Sequence, residues 1–564
     1  MSEGPGRRAG KGPGTVYAAS AVAMFAILSV LALTPANPSP PAIAEFAPQP
    51  KQQIKDAPKE QSSDFGSGQG GDVGDGTAAR PSPSAPTVSP PAVPDVVVPP
   101  GARVRRCVGD PPRQTEDPQS PPCVAFWGGK DNGGATWKGV TRDTITIAVP
   151  WIQQGPGTGQ DTMTREVIAL QNFFNSRFEF YGRKLVLAKF AGKTEDVASP
   201  DPPRQAADAA TADEQYHAFA SLPYSDNGGA DFYYYDELAR RGVVSVFAGL
   251  GTSHTEKQLA AHDPYEWGIL PPPDDIGDNE GEWSCKNLKG RNAEWSGDYK
   301  TVPRKFGLLT SPSPDGTTPP LGKLRKQLAA CGITISTEVE VPYSDDNTSA
   351  RTAVLRLKNE GVTTVFVWTH VSPLFLAVYP AADEAKYYPE WVVTSHLQGD
   401  EDTAGLLAPS SETVHSFGLR FQNKNRLPAD LPANWAIKEV DPGADNITLA
   451  NEKYIYQPLM VLASGIQWAG PHLTPKTFGK ALSELEFPNP GAGQAPWYQA
   501  HVGFQGDHTW FDDATPVYWN NNVTSRQVGQ PTGAYCNVEH GLRYRLGEWP
   551  ETPARLFQLS DPCY

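Results

Sequence analysis

The sequence predicts an α/β protein whose globular part consists of two doubly wound lobes. Two observations support this prediction. From residue 139 onward, apolar strand patterns alternate with helix patterns, which is typical of a mostly parallel sheet covered by helices on both faces. The strand candidates also exceed what one sheet with short connections comfortably holds, so we expect two lobes.

The first strand opens the folded part of the chain. Within the segment GVTRDTITIAVP (139–150), apolar and polar residues alternate from Thr144 and then run apolar, as in a strand that enters a buried parallel sheet. The full series of strand candidates covers residues 144–150, 184–190, 215–220, 243–248, 305–310, 334–341, 363–369 and 391–395.

Helix candidates fill the intervals between these strands. Gly332 and Gly361 directly follow two of them and can adopt the left-handed conformation that ends a helix. A later apolar-faced helix is expected over 451–469, where Pro458 either kinks the helix or marks its true start. The helices between the strands are expected at residues 161–178, 203–212, 230–241, 274–289, 320–331, 349–360 and 372–386.

The N-terminus carries the features of an export segment. A basic tail (1–15) containing Arg7 and Arg8 precedes an apolar segment at residues 16–34. This order is typical of a cleaved signal peptide or of a single-pass signal anchor. The apolar run of about 18 residues is at the lower limit for spanning a bilayer, and we slightly favour the anchor. The globular part is then extracytoplasmic on the cell membrane, or secreted if the segment is cleaved.

A long linker separates this segment from the folded part. Residues 35–101 are rich in Pro and Gly, with a polyproline-like stretch and a flexible Gly-rich stretch, so we expect them to be disordered. Residues 102–138 are expected to form a lead-in that is stapled by its two cysteines, and residues 551–564 a C-terminal tail.

Charge and composition exclude some partners. The formal net charge of the 564-residue chain is −15, which argues against nucleic acid and anionic lipid, because both require a cationic surface. The acidic run DDIGDNEGE (274–282) does not fit a calcium-binding loop, and we interpret it as a solvated helix start that the helix dipole favours.

The six cysteines are expected to form disulfides, because their number is even and the chain is predicted to be exported. Several pairings are possible, and the nearest-neighbour set is the most economical. No Cys-x-x-Cys or Cys-x-x-His spacing occurs, so we expect no metal site. The predicted pairs are Cys107–Cys123, Cys285–Cys331 and Cys536–Cys563.

Several segments follow one another in an order that resembles a known family. They are GVTRDTITIAVP, YHAFASLPYSDNGG, RRGVVSVFAGLGTSHTE, KFGLLTSPSPDG, VEVPYSDDNTSARTAVLRLKNEGVTTVFVWTH, EWVVTSHLQGDED and AGPHLTPKTFGKALSEL. This series, over about residues 139 to 525, is similar to the type I periplasmic solute-binding proteins of the branched-chain amino-acid-binding (leucine-binding) group, here as a membrane-tethered bacterial variant.

The resemblance implies two lobes joined by crossing strands, with a ligand bound in the cleft between them. Lobe one is expected at residues 139–271 plus 415–495, and lobe two at 272–414 plus 496–550. Open α/β sheets bind ligands beyond the carboxyl ends of their strands, which is a physical reason for a cleft at that edge.

The loops of lobe one supply five candidate ligand residues. Trp151 offers a stacking face after the first strand, although its loop is equally well a plain connector. Tyr224 and Ser225 follow the third strand, where helix capping is as plausible as ligand contact. Thr252 and Ser253 match the family position that holds the polar head of the ligand, and we favour that role over an N-cap.

The loops of lobe two supply four more candidates. Thr369 and His370 follow one cleft strand, and Ser395 and Gln398 follow another. A single histidine such as His370 is more often structural than functional.

Catalytic motifs are absent from the sequence. It contains no Gly-x-Ser-x-Gly, His-Glu-x-x-His or Gly-Lys-Ser pattern, so we expect no enzyme, no catalytic residue and no cofactor. The first functional hypothesis is an extracytoplasmic solute-binding protein for a small polar ligand, with an ABC transporter permease or a receptor as partner. The alternative is a membrane-anchored envelope scaffold or sensor with the same fold.

Overall fold

The elements of lobe one form around a five-stranded parallel sheet. The computed structural model describes residues 107–109, 112–129, 131–151, 160–193, 201–224, 232–247, 254–312, 319–342, 346–370, 373–487, 489, 500–558 and 563. The first sheet has the strand order β2-β1-β3-β4-β5, with every neighbouring pair parallel. Its strands are β1 (Thr144–Trp151), β2 (Lys184–Ala191), β3 (Ala220–Ser221), β4 (Val244–Phe247) and β5 (Glu266–Gly268).

Lobe two contains a seven-stranded mixed sheet. Its order is β12-β11-β10-β9-β8-β6-β7, in which β6 to β10 are parallel and β11 and β12 extend one edge in antiparallel fashion. The strands are β6 (Phe306–Thr310), β7 (Ile335–Glu340), β8 (Thr364–Trp368), β9 (Glu390–Thr394), β10 (Ser416–Arg420), β11 (Thr515–Ser525) and β12 (Gly529–Asn537).

Helices pack on both sheets, and apolar residues from the strands and helices of both lobes form the core. The helices are α1 (Gln160–Arg177), α2 (Pro202–Ala210), α3 (Phe232–Arg240), α4 (Glu256–Ala261), α5 (Pro273–Asn287), α6 (Gly322–Cys331), α7 (Asn347–Asn359), α8 (Tyr379–Ala385), α9 (Asp402–Gly405), α10 (Ser410–Thr413), α11 (Pro432–Val440), α12 (Leu449–Asn451), α13 (Gln457–Ala469) and α14 (Pro475–Glu484).

The eight expected strands are all present, whereas β5, β10, β11 and β12 were not expected. The strand expected at 215–220 is reduced to β3, because α2 continues into a π-helical turn (Thr211–Gln215) and His217 has a positive φ. Pro458 lies in the first turn of α13, where its missing N–H is tolerated. A π-helical turn (Glu452–Tyr456) precedes it, so the proline marks the start of the regular helix.

Three segments cross between the lobes. The first (269–272) leads from β5 to α5, the second (421–431) leads from β10 to α11, and the third (500–514) leads into β11. Because β10 pairs with β9 and β11, it belongs to lobe two, so the second crossing begins a few residues after the expected division at residue 415.

The first and third crossing segments run side by side. The backbone N–H of Trp510 donates to the carbonyl of Gly268 over 3.0 Å, and that of Phe511 donates to Ile269 over 3.0 Å. A Cβ at Gly268 would lie 2.6 Å from the ring of Phe247, so a larger residue there would have to displace that ring. The lobes are therefore joined by a paired connection rather than by separate strands.

All three predicted disulfides are confirmed: Cys107–Cys123, Cys285–Cys331 and Cys536–Cys563. Cys285 and Cys331 link α5 to α6, and Cys536 of β12 holds the C-terminal residues. The expected N-terminal tail, apolar segment and linker (1–101) lie outside the described residues. Among the helices that the structure describes, none is long and apolar enough to cross a membrane.

We expect removal of the α5–α6 disulfide by the double substitution Cys285→Ser and Cys331→Ser to lower the free energy of unfolding by about 2–4 kcal/mol. The bond closes a chain segment of 46 residues, so its loss gives the unfolded chain more conformational freedom. Urea unfolding of both proteins measures the difference. An unchanged unfolding midpoint would contradict this expectation.

Candidate functional site

The carboxyl ends of the lobe-two strands carry a buried cluster of polar side chains. Ser311 follows β6 and Thr369 follows β8, and their hydroxyl groups form a hydrogen bond. Both side chains are almost completely buried. The structure therefore brings Thr369 together with a residue on the neighbouring strand end, as parallel pairing of β6 and β8 requires.

Two histidines lie at the same edge. Burial lowers the pKa of His370, after β8, to about 4. Burial and the neighbouring His370 lower the pKa of His396, after β9, to about 3. Both imidazoles are thus neutral at physiological pH and can offer one donor and one acceptor each.

Trp368 connects this cluster to helix α5. Its ring lies 4.8 Å from the ring of His396, and its indole N–H donates to the Oε2 atom of Glu280 over 2.6 Å. Burial raises the pKa of Glu280 to about 8, although the bond from Trp368 acts in the opposite direction. The interpretation of the acidic run 274–282 as solvated is therefore wrong at Glu280, which is completely buried.

A charged network lies next to these residues. Arg420, at the end of β10, donates from Nε to Asp400 over 2.8 Å and approaches Asp402 at 3.9 Å. Ser395 donates to Asp400 over 3.1 Å and accepts from the backbone N–H of Phe421 over 2.8 Å. Ser395 therefore serves the internal network that orders the loop after β9.

One buried ion pair joins the two lobes. Lys453, in the turn before α13, donates to Glu401 in the loop after β9 over 2.5 Å. The segment of Lys453 belongs to lobe one, since Tyr456 contacts Phe174 of α1 with ring centroids 5.8 Å apart. Burial acts to raise the pKa of Glu401, but Lys453, Arg420 and Gln527 together outweigh it, and the pKa lies below its usual value.

Trp151 is the described candidate at the carboxyl end of β1. The ammonium of Lys189 lies 3.4 Å from the centre of its ring, so one face of the indole is covered. The indole N–H is buried and has no hydrogen-bond partner among the described residues. Within that part of the chain, no hydrogen bond or ring contact joins Trp151 to lobe two.

The remaining candidates fall into two groups. Tyr224 is completely buried in the core of lobe one, where its hydroxyl donates to Asp208 over 2.9 Å. Gln398 is half-buried and has a φ of 65°, which is uncommon outside glycine. Ser225, Thr252 and Ser253 lie outside the described residues.

A recess of about 570 Å³, including the solvent at its mouth, lies at the crossing segments. Ile269 of the first crossing, Asn423 of the second and Phe511 of the third line it. Glu452 also lines it, and burial together with Asp117 raises the pKa of Glu452 to about 8. The recess is thus a mixed polar and apolar space beside the hinge.

Sequence analysis missed several members of this site. His396 lies beside the predicted Ser395, and its own position after a strand was the available signal. The other three members carried no local signal in the sequence. Glu280 lies in a helix, Arg420 lies at the end of a strand that was not expected, and Lys453 lies in a π-helical turn.

Comparison with one solved structure confirms the expected fold. No protein-family profile matches the chain, and no curated protein matches it. The leucine-, isoleucine-, valine-, threonine- and alanine-binding protein from Brucella ovis, in its closed conformation, is similar with a TM-score of 0.51 and 11% identity, over 75% of this chain and 97% of that protein. A periplasmic binding protein from Burkholderia mallei is similar with a TM-score of 0.49 and 13% identity, over 74% of this chain and 100% of that protein.

The Brucella structure establishes that the chain has the two-lobed fold of type I periplasmic solute-binding proteins, as the resemblance in the sequence predicted. At 11% identity this similarity concerns the fold alone.

The buried histidines predict a dependence of stability on pH. The folded-state pKa of His396 lies below its unfolded value, so its contribution to stability is lost as the pH falls from about 6.5 towards about 3. In the parent, this effect lowers the free energy of unfolding by about 2 kcal/mol between pH 7.5 and pH 5. Replacement of His396 by Gln should remove this decrease.

Urea unfolding at both pH values measures this difference. The raised pKa of Glu280 changes stability with pH in the opposite direction, and it does so in both proteins. The prediction therefore concerns the difference in pH dependence between variant and parent, not the pH dependence of either protein alone. The exposed His472 provides the control, and His472→Gln should leave the pH dependence unchanged. Equal pH dependence in the parent and His396→Gln would contradict the prediction.

Proposed function

We propose that this chain is an extracytoplasmic solute-binding protein that captures a small polar ligand between its two lobes. The observation that carries the proposal is the architecture: two α/β lobes joined by three crossing segments, with polar side chains at the carboxyl ends of the lobe-two strands. That edge of an open parallel sheet is where such folds bind ligands. Closure of two lobes on a ligand is a hinge motion.

The chemistry of the edge favours a partly flat, polar ligand. Trp151 offers a ring and a buried N–H without a partner among the described residues, while His370 provides a neutral imidazole. Thr252, Ser253, Ser225 and Gln398 remain proposed polar contacts from the sequence, with Thr369, Ser395 and Tyr224 as less accessible members. We propose no catalytic role for these groups.

The N-terminal sequence supports the proposed location outside the cytoplasm, and the proposed partners depend on that location. The basic tail and apolar segment support delivery outside the cytoplasm, with the linker as a tether to the cell membrane or with release if the segment is cleaved. An ABC transporter permease or a receptor would then receive the loaded protein.

One observation favours the alternative of an envelope scaffold or sensor. Thr369, Ser395 and Tyr224 already have hydrogen-bond partners within the chain and are buried. A protein that uses this fold for contacts with other proteins has no need to keep such groups available. Ligand screening separates the two functions.

The ligand proposal predicts a specific loss in Trp151→Ala. Thermal-shift screening of the parent against amino acids, sugars and aromatic acids first identifies a ligand, and calorimetry then compares the variants. Loss of the ring should weaken binding by about 1–3 kcal/mol, with little change in the stability of the empty protein. Trp468→Ala removes a partly exposed tryptophan from α13 and is the control. No hit in the screen would favour the scaffold, and equal affinity in Trp151→Ala would remove Trp151 from the ligand site.

The inter-lobe ion pair provides a second test, because closure depends on contacts between the lobes. Glu401→Gln leaves Lys453 buried without its charge partner, and should lower the free energy of unfolding by on the order of 3 kcal/mol. Scattering of the empty protein should also give a larger radius of gyration, since the pair holds the lobes together.

Glu338→Gln is the control for this test, because the Arg325–Glu338 pair is exposed and within one lobe. Exposed pairs contribute at most about 1 kcal/mol, so this variant should keep the parent's stability and radius of gyration. A double substitution with Lys453→Met should recover part of the loss. Equal effects of the two glutamate substitutions would contradict the bridging role of Lys453–Glu401.

A further inference from the structure

A second cluster of polar side chains lies in lobe one, on the side of the edge strand β5. Asp236 belongs to α3, His254 precedes α4, His262 follows α4, and Glu266 is the first residue of β5. These four residues lie in or beside α3, α4 and β5, so the fold places them together although no compact sequence motif joins them. The cluster is separate from the residues of the proposed ligand site that the structure describes.

Both histidines direct their Nε2 atom towards the same oxygen. Nε2 of His254 lies 3.3 Å from Oδ1 of Asp236, and Nε2 of His262 lies 3.6 Å from that atom. One potential ligand atom from each of the three residues lies within 4.8 Å of the others. These separations exceed the 2.7–3.2 Å range of an ordinary N–H···O hydrogen bond.

The same separations suit a shared metal ion. Zn²⁺ binds imidazole nitrogen and carboxylate oxygen at about 2.0–2.2 Å in tetrahedral geometry, so two of its ligand atoms lie about 3.3–3.5 Å apart. The distance from His254 to Asp236 agrees with this value, and that from His262 exceeds it by a few tenths of an ångström. The two histidine nitrogens lie within 4.8 Å of each other, so binding to one ion requires the half-buried His262 to move closer.

Glu266 orients both imidazole rings. Its Oε1 atom lies 2.6 Å from Nδ1 of His254, and its Oε2 atom contacts Nδ1 of His262. When each Nδ1 carries a proton and donates it to Glu266, each Nε2 presents its lone pair towards Asp236. A carboxylate behind the ring is the usual support of a metal-binding histidine, since it fixes the tautomer and makes the ligand more basic.

The four residues of the cluster differ in burial, and the supporting residue is the most buried of them. The side chain of Glu266 is 1% exposed and that of His254 is 6% exposed, whereas His262 and Asp236 are 25% and 37% exposed. The supporting carboxylate is thus inside the protein, and the ligand atoms can be reached from solvent.

A purely structural role explains the contacts of the two histidines with Glu266 but not their contacts with Asp236. Bonds from two histidines to Glu266 would by themselves fix the segment before β5. They do not require the two Nε2 atoms to converge on Asp236 at distances beyond a hydrogen bond. No metal site was expected from the sequence, because this cluster matches none of the cysteine spacings, the His-Glu-x-x-His motif or the calcium-binding loop that were considered.

We propose that Asp236, His254 and His262 bind one divalent transition-metal ion, with Glu266 as the supporting residue. Two imidazoles and a carboxylate suit Zn²⁺, and a water molecule would complete four-coordination. The ion would connect α3 to both ends of α4 and so fix the position of His254, which precedes α4. The proposal does not depend on the identity of the solute or on solute binding.

Calorimetric titration of the full chain with ZnCl₂ tests the proposal. The protein is produced without a polyhistidine tag, treated with EDTA and then freed of the chelator. We expect one Zn²⁺ per chain, and binding that weakens below about pH 6 because protons compete for the imidazoles. Replacing Zn²⁺ by Co²⁺ should give the visible absorption of a four-coordinate ion.

Three variants and one control assign the site. Asp236→Asn and His262→Gln remove ligands at partly exposed positions, and each should lower the affinity at least about 10-fold. Glu266→Gln retains all three ligands and should lower the affinity about 10- to 100-fold. His508→Gln is the matched control, since His508 also lies between two carboxylates, Glu256 and Asp263, and it should bind Zn²⁺ like the parent.

The proposal fails if the parent takes up no Zn²⁺ with saturation up to about 100 μM, or if Asp236→Asn and His262→Gln bind it as the parent does. Circular dichroism in EDTA verifies that each variant is folded. For any variant that is unfolded, X-ray absorption of the zinc-loaded parent decides instead. Two imidazole nitrogens and at least one oxygen at about 2.0–2.2 Å would support the site, and a shell without imidazole would overturn it.

Discussion

The paired crossing between the lobes is the constraint on which the rest of the structure depends. Arg543 is buried and donates from Nε to Asp513 of the third crossing over 2.7 Å. The same guanidinium donates to the carbonyls of Phe421 and Gln422 in the second crossing, over 2.7 and 3.0 Å. Because the first and third crossings are joined by backbone hydrogen bonds, this one cation completes the connection of all three. Any relative motion of the lobes must take place about these bonds.

The lead-in before the first strand reinforces the same region. The side chain of Gln119 exchanges hydrogen bonds with that of Asn423 in the second crossing and also donates to the carbonyl of Ala500 in the third. Gln114 donates to the carbonyl of Arg177 at the end of α1, so the lead-in also contacts lobe one. The Cys107–Cys123 disulfide closes the loop that carries these side chains and thereby limits their freedom.

Buried cations next to the cleft and the hinge are paired with buried carboxylates. Arg420 is paired with Asp400 and Asp402 between neighbouring segments of lobe two, and Lys453 is paired with Glu401 between the two lobes. An isolated buried charge is very costly, so such pairs specify which loops meet even where they add little net stability. Glu280 is neutral at physiological pH and not part of such a pair, because burial beside Trp368 raises its pKa.

Local properties of the sequence predicted eight of the twelve described strands, most of the longer helices and the nearest-neighbour disulfides, because periodicity and cysteine order act over short distances. They left open whether Pro458 kinks a helix or begins it. Tertiary structure alone decided which polar groups meet. Antiparallel β11 and β12 exist as strands only against β10, and Lys453 reaches Glu401 only after both lobes have folded. The convergence of His254 and His262 on Asp236 has the same origin, since side-chain contacts between elements depend on how helices and strands pack and not on local sequence pattern.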